Sequence, residues 1–186
     1  LSEIYADGIE GARVQVQATK ASVENLNLLA QERGEIAFSL GDAVALAWEG
    51  VEEAGYPRPL TELRAIAAIY PNYIQIVADA ASGIETLEDV PGKSMSVGAP
   101  ASGTELNARA IFEAAGLSYD DLGRLEYLPY AESAELIKNR QLDSTLQSSG
   151  LGVAFIQDLT ATHEINLVAI PAEIVESIGA PYVPSV

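Results

Sequence analysis

The sequence predicts an α/β fold with parallel sheets. Short apolar segments that read as strands alternate with amphipathic segments that read as helices along most of the 186 residues. Alternation of this length argues for parallel strands joined by crossover helices. A hydrophobic content of 48% supplies the core, in a chain long enough for one ordinary domain or two small lobes.

The first strand is expected at residues 13–19, where Val14, Val16 and Ala18 alternate with Gln15, Gln17 and Thr19. A helix follows from Ser22, a good N-cap, with Val23, Leu26, Leu29 and Ala30 at helical spacing and Arg33-Gly34 closing it. Residues 36–40 read as a short apolar strand, and Asp42 is placed to cap the next helix, which Glu49-Gly50 ends. Residues 52–60, with Gly55, Pro57 and Pro59, read as an exposed loop. Two apolar runs, 63–70 and 73–78, are broken at Pro71-Asn72 and are the expected strands of a crossing between lobes. The second half continues with a short helix at 84–90, a Pro91-Gly92 turn, a strand at 94–98 and a helix from Thr104 to Ala115. Strands at 125–128, 142–146 and 165–170 then alternate with helices at 131–139 and 151–162. Leu1-Ser2-Glu3-Ile4-Tyr5 starts as though already inside a helix, and the chain is expected to be a piece that lacks segments at both ends.

Charge narrows the partners. The net charge of −17, from 27 acidic and 10 basic side chains, repels phosphate backbones and anionic lipid, which disfavours a nucleic-acid or membrane-surface partner. No cysteine is present, so disulfides, thiolate nucleophiles and Cys-based metal sites are excluded. With His163 the single histidine, a zinc site is not expected, and no metal or other cofactor is indicated. His163 ends a predicted helix, where it suits the negative pole of the dipole. The paired carboxylates Glu52-Glu53, Glu88-Asp89 and Asp120-Asp121 fall in loops or first turns, where solvation explains them, so no acid–base dyad and no catalytic residue is indicated.

Two junctions between a strand and a helix could hold a ligand: Thr19-Lys20-Ala21-Ser22 and Ala99-Pro100-Ala101-Ser102-Gly103-Thr104. A helix start offers unpaired N–H groups and a partial positive charge, so either could receive a carboxylate or phosphate. Ser102 and Glu105 equally match the S-x-x-E capping box, in which the side chains satisfy the helix's own N–H groups. Both readings stand on spacing alone. Gly98-x-x-x-x-Gly103-Thr104 lacks the lysine of a Walker A loop. Tyr70 and Tyr73 flank one proline break and Tyr127 and Tyr130 another; an aromatic with a polar tip suits a ligand cleft there, and a place in the core or at a hinge is the commoner use of such a tyrosine.

Taken together, Ala18-Thr19 through Ser22-Val23-Glu24-Asn25, Leu40-Gly41-Asp42, Tyr70-Pro71-Asn72-Tyr73, Gly83-Ile84 through Pro91-Gly92-Lys93, SVGAPASGTELNAR and Ser149-Gly150-Leu151 resemble the TAXI family of TRAP-transporter solute receptors. The resemblance covers almost the whole chain. It implies a type II periplasmic-binding-protein fold: two α/β lobes joined by hinge strands, truncated here at both ends. Lobe 1 would comprise residues 1–72, lobe 2 residues 73–165, and residues 166–186 would form the hinge and the return to lobe 1. The implied function is a monomeric extracytoplasmic receptor, periplasmic in location. It would bind glutamate, glutamine, 2-oxoglutarate or a dicarboxylate, and deliver it to the membrane subunits of a TRAP transporter, with no membrane insertion of its own. Carried over by motif, Thr19, Ser22 and Asn25 would face the cleft from lobe 1, and Ser102, Gly103, Thr104 and Glu105 from lobe 2. Tyr70, Tyr73 and Gln147 would be further contacts. Many relatives carry Gln-Ser-Asp where this chain has Leu40-Gly41-Asp42, and a small residue where it has Lys20, which puts the identity of the solute in question. A ligand-sensing domain of a regulator is the alternative use of the same fold, and an enzyme acting on an anionic substrate a third.

Overall fold

The structure, a computed structural model, describes residues 2–11 and 13–185. A short helix α1 (Ser2–Gly8) is followed by α2 (Ser22–Ala30) and α3 (Gly41–Glu49), which pack on each other. Val23 and Leu26 of α2 meet Ala43 and Ala47 of α3, and Tyr56 and Leu60 of the following loop close this small core. The loop folds back because Leu60 N donates to Ala47 O at 2.8 Å.

The second half is built on one mixed sheet. Strands β1 (Tyr73–Asp79), β2 (Ser94–Ser96), β3 (Arg124–Glu126), β4 (Ser144–Ser149) and β5 (Ile165–Val168) stand in the order β3-β2-β4-β1-β5. β2 is parallel to β3 and to β4, as the alternation of strand and helix predicts. β1 is antiparallel to both its neighbours, in register from Tyr73 opposite Ser149 to Ala78 opposite Ser144. The α/β class expected from the sequence is therefore found, with one strand of opposite direction inside the sheet, between β4 and the edge strand β5.

Helices cover both faces. Alternation along a strand sends Ile76, Met95, Val97 and Leu146 to one side, where α4 (Gly103–Ala114) seals them with Ala108, Ile111 and Phe112. Ile174 and Ile178 of α7 (Ala172–Ile178) pack against that same core. Val77 goes to the other side, under Ile137 of α5 (Tyr130–Lys138) and Leu159 of α6 (Ala154–Thr162). His163 follows α6 as its C-cap, and its Nε2 lies 2.9 Å from Lys138 O at the end of α5. No helix among the described residues is long and apolar enough to cross a membrane.

Three expected strands are not formed. Residues 13–19, 36–40 and 63–70 have no ladder partner among the described residues, and Val16, Ile36, Phe38 and Ile66 stand exposed. Alternation specifies an apolar face; it does not supply the neighbouring strand that turns an extended segment into a sheet. The short helix expected at 84–90 is a pair of 3-10 turns at Ala80–Ser82 and Leu87–Asp89. The strand expected at 142–146 is shifted to Ser144–Ser149 by its pairing with β1.

Candidate ligand-binding site

The starts of α2, α3 and α4 converge on one spot. Ser22, the first residue of α2, accepts at Oγ from the N–H of Leu40 at 3.1 Å, and Leu40 is the residue before α3. Glu24 N donates to Ala101 O at 3.3 Å, which ties α2 to the loop before α4. A Cβ on Gly103 would lie 2.6 Å from Leu40 Cδ1 and 2.7 Å from Ser22 Oγ. Any Cβ there would force the Leu40 and Ser22 side chains to shift.

Both junctions hold an alanine at positive φ, Ala21 at 80° and Ala101 at 58°. With ψ of −142°, Ala21 occupies a region that costs an L side chain roughly 1–3 kcal/mol and that clusters at ligand sites and switches. Ala21→Gly is expected to stabilise the protein by about 1 kcal/mol, read as a higher urea midpoint at unchanged slope. An unchanged midpoint would mean that Ala21 carries no such strain.

The serine half of the expected capping box is present: Ser102 Oγ accepts from Glu105 N at 3.1 Å. The glutamate half is not, because Glu105 is recruited elsewhere. Its carboxylate takes Arg109 Nη2 on both oxygens at 2.9 Å and lies 3.3 Å from the Tyr119 hydroxyl. Gly103 and Thr104, in the first turn of α4, have no intrahelical acceptor and no other backbone acceptor among the described residues. The Thr104 and Tyr130 hydroxyls share a hydrogen bond, and the Tyr130 hydroxyl also donates to Ser148 O at 2.9 Å.

One turn further along α4, Asn107 joins a buried polar network. Its Nδ2 donates to Asp42 Oδ2 and, at 2.8 Å, to the Tyr182 hydroxyl, while its Oδ1 accepts from Ser148 Oγ at 2.6 Å. The Tyr182 hydroxyl donates to Asp42 Oδ2 at 2.6 Å. Burial and then the charge of Asp42 push the Tyr182 pKa up, so the phenol stays protonated and keeps donating. A cavity of about 220 Å³ opens between the turn at Glu53–Gly55 and α4, with Val23, Ala101, Glu105, Leu106 and Arg109 on its walls and none of the network residues among them.

The NMT1-like family matches residues 1–184 of this sequence. The chain belongs to the NMT1-like family. It is also similar to solved binding proteins. The periplasmic aliphatic sulphonate binding protein of Escherichia coli is 16% identical over 54% of this chain and 32% of its own, with a TM-score of 0.44. The alkanesulfonate-binding protein of Xanthomonas axonopodis pv. citri, solved with MOPS, is 19% identical over 54% and 35%, with a TM-score of 0.43. An ABC uptake transporter substrate binding protein of Streptococcus pneumoniae, solved with histidine, is 16% identical over 78% and 63%, with a TM-score of 0.44. The NMT1-like chain thus spans about a third of the length of the two sulfonate-binding proteins.

In this NMT1-like chain, Ser22, Ser102, Gly103, Thr104 and Glu105 all lie at the convergence of helix starts. Thr19 and Asn25 stand beside it. The Thr19 hydroxyl donates to Asn25 Oδ1 at 2.6 Å, and Asn25 Nδ2 donates to Phe38 O at 2.8 Å, which fastens both flanking segments to α2. Tyr73 starts β1 opposite Ser149, and Tyr70 is exposed. Gln147 is fully buried with the parity of Thr145, so it faces α5 and α6 and donates to the Thr145 hydroxyl at 3.0 Å. Its Oε1 and the Nε2 of Gln75 across the strand pair have no partner among the described residues.

Two expected roles are corrected. Ala21, not Ser22, is the N-cap of α2, because Ser22 Oγ is taken by Leu40 N. Asp42 does not cap α3; its carboxylate turns to Asn107 and Tyr182 instead. Asn107, Ser148 and Tyr182 were not among the expected site residues. Asn107 carries a legible signal, since it stands four residues after Gly103 on the same helical face. Tyr182 lies 140 positions from Asp42 and carries none.

Proposed function

We propose that this protein is the extracytoplasmic solute receptor of a TRAP-type secondary transporter, of the TAXI kind, closing two lobes on a small carboxylate-bearing solute. Residues 1–72 belong to one lobe and residues 73–165 to the other, in a type II periplasmic-binding fold, with residues 166–186 as the hinge and the return to the first lobe, β5 and α7 packing on the second lobe's sheet on the way. The observation that supports this reading is the close approach of Ser22 and Leu40 to Gly103, next to the N–H groups of Gly103 and Thr104, which have no backbone acceptor among the described residues. A carboxylate admitted there takes two backbone hydrogen bonds and the positive end of α4. The hydroxyls of Ser102 and Thr104 lie within the same turn. Glu105 does not repel the anion, because Arg109 neutralises it. Thr19, Ser22 and Asn25 close from lobe 1, with Tyr70, Tyr73 and Gln147 as outer or supporting positions. The solute is released unchanged to the transporter's membrane subunits.

The test is a thermal-shift titration of protein stripped of ligand by unfolding and refolding, against glutamate, glutamine, 2-oxoglutarate and succinate. A ligand that binds only the native state at one hundred times its Kd adds about 2.7 kcal/mol, a rise of several degrees. A saturable rise for at least one of these acids, with that acid recovered intact, is the expected result. A flat response from folded protein across the panel would overturn the receptor reading.

A further inference from the structure

Resting on that receptor reading, we propose that Leu106 of α4 is a catch between the lobes. It is a side chain of the second lobe seated in the core of the first, and it sets how often the seam opens to admit or release the solute.

The helix α4 serves two cores. Ala108, Ile111 and Phe112 belong to the core on the sheet. Leu106, 8% exposed, belongs instead to the cluster that Val23 and Leu26 of α2 build with Ala43 and Ala47 of α3. Helical spacing puts Gly103, Leu106 and Asn107 on one side of α4, and each of them meets the first lobe. A Cβ on Gly103 would strike Leu40 and Ser22, and Asn107 Nδ2 donates to Asp42 Oδ2. Two further bonds cross the seam: Arg109 Nη1 donates to Glu53 O at 2.9 Å, and Glu24 N donates to Ala101 O at 3.3 Å. The Tyr182 hydroxyl joins the two sides, accepting from Asn107 Nδ2 at 2.8 Å and donating to Asp42 Oδ2 at 2.6 Å.

All of these contacts run from protein to protein, so they form with or without a solute. Separating the lobes brings Leu106 and its socket into water, which is the hydrophobic cost of opening. The exposed bond of Arg109 to Glu53 O competes with water and adds less. Leu106 therefore supplies the holding force, and the polar bonds fix the register in which it seats. Exchange of solute then waits on an opening that Leu106 opposes.

Hydrogen exchange, followed residue by residue by NMR on the purified protein with no solute added, tests this. The amide of Glu24 is the reporter: it lies in the first turn of α2, where a helix offers no acceptor of its own, and its bond to Ala101 O spans the seam. Leu60 N, bonded to Ala47 O at 2.8 Å within the first lobe, reports unfolding of that lobe. Ile76, between β4 and β5 in the ladder, reports unfolding of the sheet. In the wild-type protein Glu24 is expected to exchange through an opening that leaves both Leu60 and Ile76 protected. Leu106→Ala is expected to speed exchange at Glu24 about 30-fold. Exchange of Glu24 together with Leu60 or Ile76 in the wild-type protein would overturn the inference, because the seam would then part only when a lobe unfolds. An unchanged rate at Glu24 in Leu106→Ala would overturn it too, since the amide would then exchange by fraying of α2. Should that variant not fold, Leu106→Val replaces it, with about fivefold expected and no change again decisive against the catch. A flat thermal-shift panel would overturn the receptor reading, whereas these exchange rates decide the catch by themselves.

Discussion

Gly50→Ala is expected to lower stability by about 3–5 kcal/mol. Gly50 ends α3 in the left-handed region, at φ 73° and ψ 49°, where an alanine pays a conformational cost. The larger part of the loss is steric. A Cβ there would lie 2.3 Å from Pro59 N and 2.6 Å from Arg58 C, and backbone atoms cannot move aside as a side chain end can. The loop that Pro59 belongs to carries Tyr56 and Leu60 into the core between α2 and α3, so a shift there loosens the cluster. Gly83→Ala is the control: its φ is 75°, but a Cβ would meet nothing within 4 Å, and a loss of only about 1 kcal/mol is expected. Equal losses for the two variants in urea unfolding would show that the Pro59 contact contributes nothing.

The second large effect is expected for Asn107→Ala, at about 2–4 kcal/mol. The change removes a donor from a buried carboxylate and from the Tyr182 hydroxyl, and an acceptor from Ser148. Hydrogen bonds to charged groups weigh more than neutral ones, and the groups left behind cannot reach water without disturbing the packing. A double-mutant cycle with Tyr182→Phe should show coupling of 0.5 kcal/mol or more. Additive losses would mean that the network is a set of independent contacts.

What was legible in the sequence followed local rules. The start of α4 at Ser102-Gly103 is written in its capping residue and in the apolar spacing of Leu106, Ala108, Ile111 and Phe112, and both survive in the structure. The helices α2, α3, α5 and α6 were likewise visible from their periodicity, to within a few residues at their ends. The strands divided by whether a partner existed. Residues 94–96 found β3 and β4 and became a strand, whereas 13–19, with cleaner alternation, found none among the described residues. Site residues divided the same way. Ser22, Gly103 and Thr104 sit at helix starts, which sequence marks. Asn107, Ser148 and Tyr182 act through contacts 41 to 140 positions apart, which no local pattern encodes. The capping roles given to Ser22 and Asp42 failed because long-range partners outbid the helix's own N–H groups for those oxygens.

The reversed strand β1 also dictates an order of assembly. It is made before either strand it lies between, and its register partners in β4 are 66 to 76 positions later in the chain. During synthesis Ile74, Ile76 and Val77 must therefore wait, unpaired, for the greater part of a domain to emerge. The parallel β2-β3-β4 unit can collapse first around α4 and α5, since its contacts close over shorter loops. Insertion of β1 then comes late, as the step that joins the earlier part of the chain to a sheet already half built. A nascent chain stalled between Asp79 and Ser144 would expose a sticky hydrophobic ribbon, and that interval is where a holding chaperone would matter most.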